Sequence, residues 1–326
     1  MTEAPNTLPH DPKLDRMNLA TSLPFIVFHL MAGLVVLVGF EWKWALLALA
    51  SYYVRMFGVT AGYHRYFAHR AFKTNRVFQF VLAWLAQSSA QKGALWWAAH
   101  HRHHHRFSDA PEDLHSPVRR GFWWSHVGWI LSPRYEKTNY DAIKDFSRFP
   151  ELVWLNEHPL LPAIVWGVGM TAWLGLPGLV WGMVIPTIAL WHGTFTINSL
   201  SHIFGNRRYL TTDTSRNNFL LALITCGEGW HNNHHFHQNT ANQGWFWWEV
   251  DLSFYALKVL SWFHVVSDLR LVRPETKYSF QKYTDSQRAQ LAEQQKTGFG
   301  SWAKPPTPTP EPMLGLGAPS PALIKR

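Results

Sequence analysis

Four apolar runs, grouped in two pairs, stand out from an otherwise polar chain. Leu23 to Phe40 carries one His and no formal charge, and Glu41-Trp-Lys43 ends it. Trp44 to Tyr63 follows with one Arg, Arg55. Pro159 to Gly175 and Leu179 to Ile197 repeat the arrangement around Leu176-Pro177-Gly178. About 20 apolar residues cross the ~30 Å hydrocarbon core, so the pattern predicts four spans in two helical hairpins.

Between the hairpins, Val77 to Ala99 is apolar in patches but holds Gln79, Gln87, Ser88, Ser89, Gln91 and Lys92. It reads as one interfacial helix rather than a span. Trp245-Phe-Trp-Trp248 reads as an interfacial aromatic belt, and Leu252 to Val266 as an amphipathic helix on a cytosolic cap. The domain reading is a polar N-terminal tail over 1–22, a membrane domain with its cap over 23–270, and a tail over 271–326. That last tail is polar, then Pro-rich from Lys304, a composition that predicts disorder. The first twenty residues lack the basic start and apolar core of a secretory signal.

Composition sharpens this picture. Charged residues are 16% of the chain, well under the roughly 25% of soluble domains. Mean hydropathy is −0.15, so the chain is divided between lipid and water. The segment 65–158 holds thirteen Lys and Arg against eight Asp and Glu, whereas the hairpin turns hold only Glu41 and Lys43. The positive-inside rule places 65–158 in the cytoplasm, which puts both termini there too. The formal charge of +9 comes with no zinc finger and no basic aromatic RNA motif, so nucleic acid is not expected as a partner. A lone Cys, Cys226, excludes an intrachain disulfide and any Cys-ligated cluster.

The polar regions carry the chemistry. His64-Arg-Tyr-Phe-Ala-His69, His101-Arg-His-His104-His105, Asn198-Ser-Leu-Ser-His202 and His231-Asn-Asn-His234-His235 form four clusters with nine candidate ligands. Neutral imidazole is the commonest nitrogen ligand for transition metals. Three or four protein ligands per ion leave a position open for chemistry, so nine imidazoles suit two ions. His101 and His105 share a helix face, as do His231 and His235, and as do Asn198 and His202. His104 and His234 point off those faces, toward a second ion. His64 and His69 lie about 140° apart on an α-helix and meet one ion only if the helix frays or the ion sits near its axis. His10, His29, His126, His158, His192 and His264 are isolated, and His100, His103 and His237 point away from their clusters. His115 reads as a loop residue or a supporting group. Zinc has no redox chemistry and no His-Glu-x-x-His motif is present. The Glu and Glu-x-x-His pairs of ferritin-like proteins are also missing. An all-imidazole pair of sites suits iron handling oxygen.

These clusters, with Gly58-Val-Thr-Ala-Gly-Tyr-His64, Arg106-Phe-Ser-Asp109, Arg119-Arg-Gly-Phe-Trp-Trp-Ser-His-Val-Gly-Trp129 and Gly227-Glu-Gly-Trp-His231, resemble the integral-membrane fatty-acyl desaturases of the stearoyl-CoA desaturase-like family over about residues 23–270. The resemblance implies an all-α integral membrane fold: four transmembrane helices in two hairpins, under a cytosolic helical cap that holds a His-rich di-iron site. It implies that His64, His69, His101, His104, His105, His202, His231, His234 and His235 bind two iron ions, with Asn198 completing one shell through water. It implies O₂ as co-substrate and a cis double bond, at Δ9, made in a saturated acyl chain carried as acyl-CoA. Gln91, Trp97 and Thr194 match residues that kink the family's acyl tunnel; Tyr52 and Met56 match its closed end. Arg119 and Arg120 join the expected substrate contacts. Ala99-His100 replaces an Arg-Asp pair that contacts the CoA head, and Phe195 replaces a Trp. The Ala99-His100 departure leaves a phospholipid- or ACP-bound chain as an alternative carrier; separately, a lipid hydroxylase of the same superfamily, with the same irons but oxygen inserted, is the alternative enzyme. With no haem motif and no flavin fingerprint, electrons must come from a separate donor of cytochrome b5, ferredoxin or rubredoxin type with its reductase. The location implied is multi-pass, in a bacterial cytoplasmic membrane or the endoplasmic reticulum.

Overall fold

The computed structural model of the chain describes residues 15–296. Its framework is helical. Helix α1 (Leu19–Met31) continues through a tight turn to Val38, where Gly39, at φ 74°, breaks it. α2 (Trp42–Phe57) runs without interruption into a π-helical stretch, Gly58–Ala68. α3 (Arg76–Gln87) and α4 (Ala94–Phe107) follow. α5 (Leu161–Pro177) leads through the wide turns of Gly178–Val184 into α6 (Ile185–Asn198). The segment after α6 adds α7 (His231–Phe236), α8 (Leu252–Trp262) and α9 (Asp285–Lys296). The two-residue strands Lys73–Thr74 and Val266–Ser267 pair antiparallel and tie the α2–α3 connection to the end of α8.

Two helical stretches among the described residues are long and apolar enough to cross a membrane, Trp42–Ala68 and Leu161–His202; Ser22–Val38 is a shorter apolar one. The second is not straight. Gly175 adopts φ 66° and ψ −147°, a conformation that glycine reaches without the Cβ penalty, and the chain folds back on itself. A Cβ on Gly178 would stand 2.0 Å from the Met170 carbonyl oxygen, and Trp166 Nε1 donates to Gly182 O across the pair at 3.1 Å. α1 lies against the α6 arm: Phe25 stacks on Trp191 at 5.3 Å between centroids, and Trp181 Nε1 donates to Gly39 O at 3.2 Å. Arg55 is fully buried where α2 meets this arm. Its Nη1 donates to Thr187 Oγ1 at 2.6 Å and to Ser88 O at 3.3 Å.

Three expectations need correction. Val77 to Ala99 is not one helix, because Ala90 and Lys92 take positive φ and separate α3 from α4. Its polar residues turn inward: Gln87 Oε1 accepts from Ala94 N at 3.0 Å, and Gln87 Nε2 donates to Leu155 O at 2.9 Å. The C-terminal tail does not begin at 271. Residues 274–296 form helices that dock on the loop after α6, with Tyr209 Oη donating to Lys277 O at 2.6 Å and Gln295 Oε1 accepting from Arg207 N at 2.7 Å. The Pro-rich stretch from Lys304 lies outside the described residues. At the other end the helix begins at Leu19 rather than Leu23, and Asp15 is already engaged, pairing with Arg120 and Arg134 at 3.1 Å each.

Candidate metal centre

The last turn of the long second helix sets the site. Gly58 is packed so closely on α3 that a Cβ would stand 2.8 Å from Ala86 N and from Leu85 C. From there the helix widens to π geometry, whose hydrogen bonds run from i to i+5, and His69 N donates to His64 O at 3.1 Å. Residues five apart then fall on one face, and the His64 and His69 rings meet at 4.7 Å. Neither fraying nor an ion on the axis is needed. π-bulges occur often at functional sites.

α4 brings His101 and His105 to the same point, and α7 brings His234. Four contacts link the Nε2 atoms of this set: His64 to His234 at 3.0 Å, His234 to His105 at 2.9 Å, His105 to His101 at 2.9 Å, and His101 to His69 at 3.0 Å. A second set holds His104, His202, His231 and His235, with the Nε2 atoms of His231 and His202 3.2 Å apart. The sets adjoin, since the His105 and His235 rings are 4.5 Å apart. His101 and His105 thus share the first set and His231 and His235 the second, while His104 and His234 cross to the set opposite their neighbours.

Four carboxylates stand behind the imidazoles. His64 Nδ1 meets Glu228, His104 Nδ1 meets Asp113 at 2.9 Å, His202 Nδ1 meets Asp109 at 3.3 Å and His235 Nδ1 meets Asp213 at 2.7 Å. Asp113, Asp109 and Asp213 each accept a hydrogen bond from Nδ1–H and leave the Nε2 lone pair aimed at the centre, which is the arrangement that orients metal-binding histidines, and Glu228 stands against His64 Nδ1 on the same side. Burial alone would raise these carboxyl groups. The imidazole beside each outweighs it, with Arg65 also acting on Glu228, so Asp109, Asp113, Asp213 and Glu228 are all held below the usual range. Burial pushes His69, His101, His105, His231 and His234 well below the ordinary imidazole value and keeps them neutral.

Lone pairs facing one another at 2.9–3.2 Å cannot all be hydrogen-bonded once Nδ1 carries the proton. Buried His235 Nε2 has no hydrogen-bond partner. A common ion at about 2.1 Å from each nitrogen satisfies them, because adjacent corners of an octahedron are then spaced as these atoms are. The donor set therefore fits two transition-metal ions, and five nitrogens around the first leave one corner open.

An apolar cavity of about 760 Å³ abuts the centre. His101, Asn198, Gln91, Trp97 and Thr194 all line it. Gln91 Nε2 donates to Thr194 Oγ1 at 3.1 Å. Trp97 stacks on His101 at 4.8 Å and on Tyr63 at 5.4 Å. Tyr52 and Met56, expected at its closed end, do not line it. They fill the opposite face of α6, where a Cβ on Gly193 would meet Tyr52 Oη at 2.6 Å and Met56 Cε at 3.3 Å, and Tyr52 Oη donates to Ile224 O. Arg119 and Arg120 are also off the lining: Arg119 Nε donates to Asp109 O at 2.8 Å, and Arg120 lies over the Trp124 ring.

Sequence reasoning missed the four carboxylates. Asp109 and Glu228 fall inside matched strings, but no spacing marks Asp213. It also treated three histidines as isolated that are contiguous: His29 Nε2 lies 3.1 Å from His192 Nε2, and His192 Nδ1 lies 3.0 Å from His126 Nε2. His115 sits 4.3 Å from the His104 ring and shares a potential ligand group with His104 and Asp113.

Comparison with known proteins fits this geometry. The profile of the family described as fatty acid desaturase matches residues 41–269. The chain is 34% identical over 244 residues to an sn-2 palmitoyl-lipid 9-desaturase of Nostoc sp. (strain 36), covering 72% of this chain and 84% of that protein. It is 34% identical over 261 residues to an acyl-CoA 5-desaturase of Anemone leveillei, covering 75% and 79%. It is also 34% identical over 244 residues to a hex-5-enoyl-[acyl-carrier protein] acetylenase of Moorena producens, covering 69% and 76%. The chain belongs to the fatty acid desaturase family, and it is an oxidoreductase of that class.

Proposed function

We propose that the chain is a membrane acyl desaturase that introduces a cis double bond, at Δ9, into a saturated acyl chain. A CH₂–CH₂ unit, O₂, two electrons and two protons become CH=CH and two waters. The observation that carries this reading is the pair of inward-facing imidazole sets, backed by carboxylates, at the side of an apolar cavity. His64, His69, His101, His105 and His234 would hold one iron; His104, His202, His231 and His235 the other, with Asn198 completing its shell through water. Iron supplies oxygen activation and abstraction of unactivated hydrogens, which no side chain can perform.

The chain's own residues bind and orient. The Gln91–Thr194 hydrogen bond and the Trp97 ring stand on the lining beside His101, where they bend the acyl chain and set which carbons face the centre. The apolar walls exclude water. The carboxylates keep the imidazole protons on Nδ1. Acyl-CoA is the carrier implied by the family resemblance, while the relatives' names divide among lipid, CoA and carrier-protein substrates. Electrons come from a separate donor of cytochrome b5, ferredoxin or rubredoxin type. The four apolar segments fit four spans, with both termini and the centre cytoplasmic.

The test is expression in a host lacking its own desaturase, followed by fatty-acid profiling with double-bond location. A cis-9 monoene that requires oxygen is expected, and His101→Ala and His234→Ala should abolish it. A hydroxylated chain would make the protein a hydroxylase instead. Full activity with zinc alone would remove the di-iron reading.

A further inference from the structure

α7 hangs between two elements whose outward faces are apolar. Before it stands the short helix Phe219–Ile224, where Leu220 is 68% exposed, Phe219 47% and Ile224 43%. After it stands α8, where Leu252, Tyr255, Val259 and Trp262 are exposed and fall on one face through their spacing of three and four residues. Lys258 stands, exposed, at the edge of that face, and α8 holds no Asp or Glu. The opposite face is fixed to the protein: Ser253 Oγ and Thr60 Oγ1 share a hydrogen bond at 2.5 Å, and Leu257 is fully buried. An apolar stripe bordered by a basic residue suits a helix lying in the plane of a lipid interface.

The depth of the short helix is set by the long apolar helices it leans on. Tyr52 Oη donates to Ile224 O at 2.8 Å, and Tyr53 Oη donates to Leu223 O at 3.3 Å. Tyr52 lies twelve residues before His64, about 18 Å along the second helix at 1.5 Å per residue. On α6, a Cβ on Gly193 would stand 3.4 Å from Ile224 Cγ2. Gly193 lies five residues before Asn198, about 8 Å further from the metal centre. Ile224 therefore sits below the imidazoles, against the apolar length of both helices. The backbone is provided for at that depth. A helix end leaves its last carbonyls without partners, and hydrocarbon offers none. Tyr52 and Tyr53 donate to two of them, and Thr225 Oγ1 donates back to Leu221 O at 2.6 Å. In water the solvent would serve instead.

We propose that the helix Phe219–Ile224 re-enters the bilayer from the side that holds the metal centre, and that α8 lies flat in the interface beside it, so that the partner of both outward faces is lipid. This rests on the membrane reading above. Only residues 225–230 separate the re-entrant helix from α7. On the other side Asp251, which caps α8, pairs with Arg65 at 2.9 Å beside the centre. Lipid is then the outer support of the element that carries His231, His234 and His235.

The experiment uses iron-loaded full-length protein in vesicles of phosphatidylcholine and phosphatidylglycerol. The native thiol of Cys226 is buried and stays in place. A fluorophore is attached in turn at Leu220→Cys and Trp262→Cys, with Leu46→Cys on α2 as the reference for lipid and Ala289→Cys on α9 as the reference for water. Quenching by a nitroxide on the lipid acyl chain should exceed quenching by aqueous iodide at least threefold at Leu220→Cys and Trp262→Cys, as at Leu46→Cys, with the order reversed at Ala289→Cys. Iodide quenching at both test sites, with Leu46→Cys still quenched from lipid, would overturn the lipid seat and leave the membrane reading standing. Iodide quenching at Leu46→Cys as well would overturn both. Protection from both quenchers would assign the faces to a second copy or another protein. A split between the two test sites would overturn the paired anchor. Leu220→Gln combined with Trp262→Gln, both on exposed positions, should release iron from vesicles to a chelator at least threefold faster. An unchanged rate would mean that lipid does not support α7.

Discussion

Asp213 shows how much a single carboxylate carries. It accepts from His235 Nδ1 at 2.7 Å and, within its own turn, from Ser215 N at 3.0 Å. Partners of this kind typically alter metal affinity by 10–100-fold. Asp213→Asn should therefore weaken retention of the ion held by His104, His202, His231 and His235 by about that factor, read as iron lost to a chelator, while the five-imidazole set keeps its own. Equal loss from both sets would show that Asp213 acts through general stability. The buried imidazoles give a second test. Their folded pKa values lie below the unfolded value of about 6.5, so below that pH the unfolded chain binds protons that the folded chain refuses. The metal-free protein should be most stable above about pH 6.5 and lose melting temperature as pH falls through 6 toward 5. A melting temperature flat over that range would mean that these rings are not held neutral. At this scale the sequence was informative about which imidazoles gather, because i, i+4 spacing and box order survive folding. It was silent on Asp213, which stands in irregular chain before the helix Phe219–Ile224 and reaches His235 on α7 across 22 residues.

The element that decides the geometry is the π-helical end of the second helix. Gly58 allows it to approach α3. Gly58→Val would drive side-chain atoms into the α3 backbone and should cost about 1–3 kcal/mol by overpacking, seen as a lower melting temperature and weaker iron retention at His64 and His69. An unchanged melting temperature would mean that α3 moves aside freely. Hydrophobic run lengths gave the long apolar helices and their turns, since Gly39 and Gly175 stand where composition changes. They could not show a change from α to π winding, because that depends on packing against α3 rather than on polarity. The break at 88–93 was hidden for a similar reason. Gln87 and Ser88 look like an amphipathic surface in sequence, yet they are buried: Gln87 turns its amide to backbone partners on neighbouring segments, and Ser88 Oγ donates back to Leu85 O of its own helix.

At the scale of the whole molecule, the four-span reading predicts that tags at the two ends lie on one side of the membrane. Reporters active only in the cytoplasm should work at both, and a periplasm- or lumen-active reporter working after residue 270 would refute it. The ordered piece beyond 271 extends the functional unit further than composition suggested. Arg216 reaches the carbonyl oxygens of Gln294 and Gln295, and Arg207 meets Gln295, so α9 braces the loop that carries Asp213. The inward-facing nitrogens have a last consequence, for the topology of the folded chain. His64 and His234 are 170 residues apart, His105 and His234 129, and His69 and His101 32. An ion shared among them cross-links the chain as a disulfide would, in a protein whose one cysteine is free. Closing a 100-residue loop restricts the unfolded chain by about 4.7 kcal/mol in the chain-entropy account, and these loops interlock. The ions would act as the staples of the fold. Their removal should lower the melting temperature of the entire molecule and open distant helices to proteolysis together, rather than soften one loop.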